Sequence, residues 1–382
     1  MTKALLDNSP LQQIDFECMR MALNLASRGL GNVWPNPAVG CILLRRDLSN
    51  MIVGRGWTQP GGRPHAEVEA IRCAGSLSKG SVAYISLEPC AHFGKTPPCV
   101  DQLIAAGITK AFISIQDPDN RVAGRGIAKL KEAGIPVFMG LLEKDARQIN
   151  EGFLCRIENG RPHITIKLAT TLDSKIATKL GQSKWITSED ARKRGQLLRS
   201  RCDAVITGVG TAIEDNPRLT CRLSGMETRS PIRIVSDRFL RLPANGHLVA
   251  DAKQYPTWIV TVKKYPESRA QKLLKKKCEL IVVESDQNGR PSISGLCKVL
   301  GEKGITRLLV EGGNKLTAAF FQAGLVDELR WFRSSNVLGG DGLAAIGDLE
   351  IANLKDIVSF ERQWSRVISK KGDIEEIFRR KM

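Results

Sequence analysis

The sequence predicts two α/β domains joined end to end, and three observations carry that reading. A length of 382 residues exceeds one typical core and supplies two. Short apolar runs alternate with helical patterns through both halves, the rhythm of sheets covered by helices. That rhythm breaks over Ala146 to Pro162 (ARQINEGFLCRIENGRP), where Asn159-Gly160 and Pro162 punctuate the chain, so the boundary is placed near residue 150 and the domains at 1–150 and 151–382.

In the first domain, apolar residues recur at helical spacing from Ile14 to Arg28 (Phe16, Met19, Ala22, Leu23, Ala26), and Gly29 is placed to end the helix. Strands are expected at Val39 to Leu44 and Met51 to Gly54, then a helix opening at His65, then a strand at Val82 to Leu87. A helix opening at Cys99, a strand at Ala111 to Ile115, a helix from Gly126 to Ala133 and a strand at Pro136 to Met139 complete the half. Two adjacent strands followed by alternating strand and helix predict a five-stranded sheet with helices on both faces and a site at the carboxyl ends of strands. The second domain repeats the alternation with strands at His163 to Ala169, Asp203 to Gly208, Ile232 to Ser236, Trp258 to Val262, Leu280 to Val283 and Arg307 to Glu311. Helices fall between most of these, notably Ser188 to Arg201, which Thr187 or Ser188 can cap. A last strand pair is expected at Glu328 to Phe332 and Ile374 to Arg380.

Composition narrows the function classes. With 42% hydrophobic and 25% charged residues the chain is of ordinary soluble type. It has no run of about eighteen apolar residues, and MTKALLDNSPLQQ lacks a basic-then-apolar leader, so a cytoplasmic protein without a membrane partner is expected. Ten cysteines are scattered singly, which favours reduced thiols. The net charge of +17 is uneven: 17 basic residues oppose 13 acidic ones over 1–150, and 40 oppose 27 beyond. Such a field attracts phosphorylated ligands or nucleic acid. Runs such as Lys275-Lys276-Lys277 and Arg379-Arg380-Lys381 lack interleaved aromatics, which argues against a stacking surface for single strands, and no nucleic-acid partner is expected.

The most informative motif is His65-Ala66-Glu67, followed by Pro89-Cys90 and then Cys99. It offers three metal-ligand side chains and one carboxylate that need not touch the metal, the makeup of a hydrolytic zinc site with one coordination position open for water. His65 and Cys99 each open a helix, where a thiolate and a hydroxide are electrostatically favoured, and Glu67 sits in the first turn. This is the H-x-E and P-C-x-x-C signature of zinc deaminases, in which the glutamate shuttles protons. Here eight residues, not two, separate the cysteines, and that loop carries His92 and Lys95 close to the metal, groups suited to a small polar substrate. Two alternatives stay open at this point: a nucleic-acid base deaminase with a basic accessory domain, and a structural zinc closed by His92 as fourth ligand.

Thr207-Gly208-Val209-Gly210-Thr211 and Glu311-Gly312-Gly313-Asn314-Lys315 each follow a predicted strand, and the second leads into a helix from Lys315 to Gln322. Free backbone N–H groups at such a helix start suit a pyrophosphate, although a plain turn is the alternative. No G-x-G-x-x-G occurs, so a Rossmann dinucleotide site is not expected. Lys167, Asp173, Asp215, Arg218 and Arg222 fall at loop positions in the same half.

Over nearly its whole length the chain resembles the bifunctional riboflavin-biosynthesis deaminase/reductase family. The matching segments are Pro35 to Gly40, His65 to Glu67, Ser86 to Cys99 with its Thr-Pro-Pro-Cys, and Val122 to Gly124. In the second half they are Lys167 to Asp173, Ser183 to Thr187, Thr207 to Thr211 with Asp215-Asn216-Pro217, and Glu311 to Gly313. The resemblance implies a cytidine-deaminase-like three-layer domain and a dihydrofolate-reductase-like α/β domain. It implies Zn2+ held by His65, Cys90 and Cys99, Glu67 as the catalytic proton carrier, and zinc-hydroxide removal of the 2-amino group of 2,5-diamino-6-(5-phosphoribosylamino)pyrimidin-4-one. It also implies NADPH reduction of the ribosyl group, with cofactor contacts at Ala169, Trp185, Thr211, Asp215, Gly313, Asn314 and Lys315. Substrate contacts are implied at Ser183, Arg199, Leu219, Arg222 and Glu311, with Arg199 and Arg222 as a fork for the 5′-phosphate. The partner is then a phosphorylated pyrimidine, with a homo-oligomer as the family's frequent state. Proton donors for the reduction are Lys167, Asp215 and Glu311, unranked. Three departures stand out: Ser174 where the family has glycine, which would shift the turn, Asp119-Asn120 for Asn-Pro, and Arg238, a candidate contact for the cofactor's 2′-phosphate.

Overall fold

The structure, a computed structural model, describes residues 11–93, 97–119 and 123–381, so Lys95, Asn120 and Val122 lie outside the described residues. The chain forms two compact units, Met1–Asn159 and Gly160–Met382. The first contains, in order, α1 (Gln13–Ala26), β1 (Gly40–Arg45), β2 (Met51–Trp57), α2 (Ala66–Ala74), β3 (Val82–Ile85), α3 (Cys99–Ala105), β4 (Lys110–Ile113), α4 (Arg125–Glu132), β5 (Val137–Met139) and α5 (Glu143–Asn159). Its five strands run in the order β2-β1-β3-β4-β5. β1 is antiparallel to both neighbours, and β3, β4 and β5 are parallel, so the expected five-stranded sheet is present.

Most of the segment Ala146 to Pro162 belongs to a seventeen-residue helix, and the two units divide at its end, between Asn159 and Gly160. Its buried face carries Ala146, Asn150, Phe153 and Leu154, and the boundary expected near 150 falls inside α5. Asn150 interrupts the apolar stripe for a reason: its amide accepts from the Ala38 N–H at 2.9 Å and donates to the Ala38 carbonyl at 3.1 Å. Buried backbone polar groups must be paired, and α5 supplies the partner for this segment. α1 opens with Asp15 accepting the Gln12 N–H at 2.8 Å; the same buried carboxylate accepts the Tyr84 hydroxyl at 2.6 Å and pairs with Arg46. Helix α2 lies directly on β2 because Gly56 has no side chain: a Cβ there would overlap the Ala66 carbonyl. That contact fixes the helix start that carries His65 and Glu67.

The second unit contains β6 (His163–Thr170), β7 (Lys175–Ala177), α6 (Glu189–Arg199), β8 (Ala204–Gly208), α7 (Val209–Asp215), β9 (Ile232–Ser236), α8 (His247–Ala250), β10 (Thr257–Val262), α9 (Glu267–Lys275), β11 (Glu279–Val283), α10 (Ile293–Glu302), β12 (Arg307–Val310), α11 (Asn314–Gln322), β13 (Glu328–Arg333), β14 (Leu343–Ala344), β15 (Phe360–Val367) and β16 (Ile374–Arg380). Nine strands run in the order β11-β10-β9-β8-β12-β6-β13-β16-β15, parallel except where β16 pairs antiparallel with β13 and β15. Ser188 caps α6, accepting from the Ala191 N–H at 3.4 Å, as one of the two expected caps. Strand β15 and the small β7–β14 pair are additions to the expected set; β15 is exposed along almost its full length, so no alternation marks it in the sequence. Among the described residues no helix is long and apolar enough to cross a membrane.

The turn after β6 closes in spite of its non-glycine residue. Asp173 accepts the Thr171 hydroxyl at 2.6 Å and the N–H groups of Leu338 and Gly339 at 3.2 and 2.8 Å, while Ser174 takes a φ of +63°. The serine sits in the left-handed region that disfavours a Cβ. Replacing Ser174 with glycine is therefore expected to stabilise the chain by roughly 1 kcal/mol, read as a rise in the urea midpoint of the full-length protein.

Candidate active sites

In the first unit, three side chains from separate segments converge. His65 is the N-cap residue of α2, Cys99 the first residue of α3, and Cys90 lies on the segment leaving β3. His65 Nδ1 stands 3.2 Å from Cys99 Sγ and 3.7 Å from Cys90 Sγ, and the Cys99 N–H donates to Cys90 Sγ at 3.3 Å. All three ligand atoms lie within 4.8 Å of one another. A tetrahedral zinc with ordinary Zn–S and Zn–N bonds separates its ligands by about 3.6 Å, so the donor set and its spacing fit that ion. Among the described residues the group within ligand reach consists of these three and leaves out His92, whose buried Nδ1 has no hydrogen-bond partner. Among the described residues the site thus has no fourth protein ligand of the kind a closed structural zinc requires.

Electrostatics single out the neighbours. A hydrogen bond from the Cys99 thiol, opposed by burial and aided by His65, holds the Cys90 thiol down at about 4. Glu67 is only 3% exposed. Burial pushes its carboxyl up to about 7, against the pull of His65 and with the added push of Cys90. A buried acid that titrates near neutrality next to a metal-ligand set is suited to carry a proton in both directions.

Beside these groups opens a cavity of about 540 Å³, lined by His65, Glu67 and Cys90 and by Asn36, Arg63, His92, Phe93, Asp117, Asp119, Phe153 and Arg156. Arg63 and Arg156 escaped the sequence reading. Arg63 stands two residues before His65 and was within reach of a search around the motif; Arg156 is delivered by α5, whose helical spacing (Ala146, Ile149, Phe153, Ile157) was the available signal.

In the second unit, Ala169, Ser183, Trp185, Thr211, Asp215, Glu311 and Gly313 all line one cavity of about 310 Å³, together with Lys167. The Gly313 N–H donates to the Thr211 hydroxyl at 3.2 Å, which ties the start of α11 to α7. Trp185 is 71% exposed and carries the Arg192 guanidinium 4.3 Å from its ring centroid. Asn314 and Lys315 face a second cavity of about 640 Å³, which shares Gly181 and Leu343 with the first and adds the cations Lys179 and Arg290. An elongated cofactor with phosphates fits this pair of cavities, with the start of α11 between them. Arg238, the expected 2′-phosphate contact, lines neither; its guanidinium lies over Phe239 at 4.7 Å and donates to the Asn288 carbonyl at 3.2 Å.

Arg199, expected in the phosphate fork, is held on Glu311 in the structure. Its Nε and Nη2 donate to Glu311 at 2.5 and 2.9 Å and its Nη1 to the Thr220 carbonyl at 3.2 Å, so a bidentate ion pair occupies the guanidinium. Lys167 adds a contact to Glu311 at 3.4 Å. Arg222, whose guanidinium also leans on Thr220, is held below its usual value by burial and by the like charges of Arg199 and Arg218. That excess of positive charge calls for an anion. Leu219 is buried in the core with a φ of +54°, so its side chain faces away from solvent.

A cytidine-deaminase-like metal site on one α/β unit and a phosphate-ready cavity on a second define a zinc-binding deaminase joined to a reductase. Residues 12–115 match the cytidine and deoxycytidylate deaminase zinc-binding region, and residues 162–369 the RibD C-terminal domain. The riboflavin biosynthesis protein RibD of Aquifex aeolicus is 38% identical over 92% of this chain and 95% of its own length, and that of Escherichia coli 40% identical over 87% and 91%. A RibD structure from Acinetobacter baumannii superposes with a TM-score of 0.85 at 32% identity, covering 96% of this chain and 99% of that one. The Thermotoga maritima diaminohydroxyphosphoribosylaminopyrimidine deaminase/5-amino-6-(5-phosphoribosylamino)uracil reductase superposes with a TM-score of 0.83 at 30% identity over the same shares. The chain belongs to the RibD family.

The Glu311 cluster sets an acid limit. Burial alone would push this carboxyl up, but Arg199 and Lys167 reverse the effect and hold it at about 2, against an ordinary value of 4.5. Because the folded value is depressed, the stabilisation is complete above about pH 4.5 and is lost as pH falls toward 2. Glu311→Gln is expected to cost about 3 kcal/mol at pH 7, since Arg199 is left buried without its counter-ion. In urea unfolding of the full chain, the gap between wild type and variant should narrow steadily from pH 4.5 to pH 2.5.

Proposed function

We propose that this chain performs two successive steps of riboflavin biosynthesis. Residues of the first unit deaminate 2,5-diamino-6-(5-phosphoribosylamino)pyrimidin-4-one, and those of the second reduce the ribosyl group with NADPH to give 5-amino-6-(5-phosphoribitylamino)uracil. The observation that carries the reading is the three-ligand set of His65, Cys90 and Cys99 with buried Glu67 beside it, next to a cavity that His65, Glu67 and Cys90 line. Cytoplasmic action is supported by ten free cysteines, none of them paired in a disulfide.

A zinc ion held by the three ligands supplies Lewis acidity and brings the pKa of a water molecule toward neutrality. Glu67 takes a proton from the water as its oxygen forms a bond to the amidine carbon, and returns it to the amino nitrogen as the C–N bond breaks and ammonia leaves. Arg63 and Arg156 give the cavity positive charge suited to the substrate's phosphate.

For the second step, the residues lining the two cavities would hold NADPH, which would supply the hydride. Glu311, held ionised by Arg199 and Lys167, has no proton to give near neutrality. Lys167, in the cavity wall beside it, is the group we assign to protonate the sugar ring oxygen as the C1′–O4′ bond opens. Arg222 receives the 5′-phosphate, with Arg199 acting as the counter-ion of Glu311.

Glu67→Ala is expected to abolish ammonia release while keeping one zinc per chain and normal NADPH oxidation on the deaminated intermediate; loss of zinc would reassign Glu67 as a ligand. Stripping zinc with a chelator should produce the same split between the two activities. Arg222→Ala is expected to raise the KM of the reductive step by about tenfold or more with a smaller change in kcat, in keeping with loss of one charged phosphate contact.

A further inference from the structure

The deaminase cavity has a second buried carboxylate that the chemistry above does not use. Glu88, 3% exposed on the cavity wall, stands two residues before Cys90. Its Oε2 accepts the N–H groups of Asp117 at 3.2 Å and Gly124 at 3.0 Å, and its Oε1 those of Gly126 at 2.9 Å and Ile127 at 3.2 Å. Gly124 is the N-cap of α4, and Gly126 and Ile127 lie in its first turn, so these are N–H groups that a helix start leaves without partners inside the helix. α4 has no side-chain cap of its own; the carboxylate arriving from the zinc-ligand segment fills that role, where the helix dipole favours negative charge. An ionised carboxylate has acceptor sites for four donors, whereas an amide of the same shape turns one of its two ends into a donor.

Packing draws the same elements together. A Cβ at Gly126 would overlap the Pro89 carbonyl, so the first turn of α4 rests directly on the residue before Cys90. The Glu88 N–H donates to the Ile115 carbonyl at 2.9 Å, which joins the segment to the chain leaving β4. Asp117, held through its N–H by Glu88, turns its own carboxylate back to accept the Asp119 N–H at 2.9 Å, and both aspartates line the cavity.

We propose that Glu88 is a positioning residue for the deamination: it locks the Asp117–Asp119 wall and the start of α4 against the Cys90 segment, so the substrate-facing side of the cavity is set before substrate arrives. A wall held in place in advance spares the ordering cost at the moment of binding. The role rests on the deaminase reading above, and its test has an arm that does not.

In the full-length zinc-loaded chain, Glu88→Gln is expected to speed amide hydrogen exchange at Asp117, Gly124, Gly126 and Ile127 by about tenfold or more, while β4 amides from Ala111 to Ile113 keep their protection. That arm needs no substrate. The KM for ammonia release should rise by about 10- to 100-fold with kcat within about threefold, the range seen for residues that hold a metal site's surroundings. Zinc should stay at one per chain, and NADPH oxidation of the deaminated intermediate should match wild type. Unchanged exchange at the four amides, loss of zinc, or a fall in kcat at constant KM would overturn the proposal. Gly126→Ala disturbs the same contact from the helix side; if Glu88→Gln gives no soluble chain, the same KM rise at constant kcat is required of it, and an unchanged KM sinks the assignment.

Discussion

The deaminase site depends on one steric constraint: α2 must lie against β2 with nothing between their backbones. Gly56 permits that approach, and the approach decides where His65 ends up. Once the helix start is fixed, Glu67 follows one turn in, and Cys99 can reach the same point only because α3 begins there. Short-range ligand chemistry is then imposed by long-range packing. A side chain at position 56 would act on the metal without touching it.

The second unit solves a different electrostatic problem. It must place several cations around a phosphorylated ligand without letting them repel one another out of the fold. Glu311 answers this by pairing with both Arg199 and Lys167 inside the protein. Arg233 shows the structural counterpart. It is completely buried, and its guanidinium spends its donors on the carbonyls of Arg218, His247, Leu248 and Tyr255 and on the Thr257 hydroxyl. A chain with +17 net charge thus uses arginine in two structural ways: as counter-ion and as a clamp on loops.

The parts of this protein that were legible in its sequence are the parts whose physics is local. His65 and Glu67 share a helix turn, Cys90 and Cys99 share a loop, and strands covered on both faces announce themselves as apolar runs. What escaped depends on distant partners. Arg199 and Glu311 are 112 positions apart, so no spacing in the sequence could show the ion pair between them. α5 was hidden by Asn150, a polar residue on a buried face whose purpose is visible only beside Ala38. The clasp of Asp173 on Leu338 and Gly339 beside Ser174 is likewise beyond what spacing can show. Glu88 was read as part of a motif, and its four amide partners lie beyond any periodicity.

Strand β15 has a consequence for life at high concentration. It forms one margin of the nine-stranded sheet, and a margin with free backbone groups invites another chain to add itself. Glu361, Arg362 and Arg366 stand along that margin, with Arg362 reaching Glu376 on the inner neighbour at 3.6 Å. An incoming strand would have to strip water from these charges before any hydrogen bond formed in return. The charges that blurred this strand in the sequence therefore act as a barrier to runaway sheet growth.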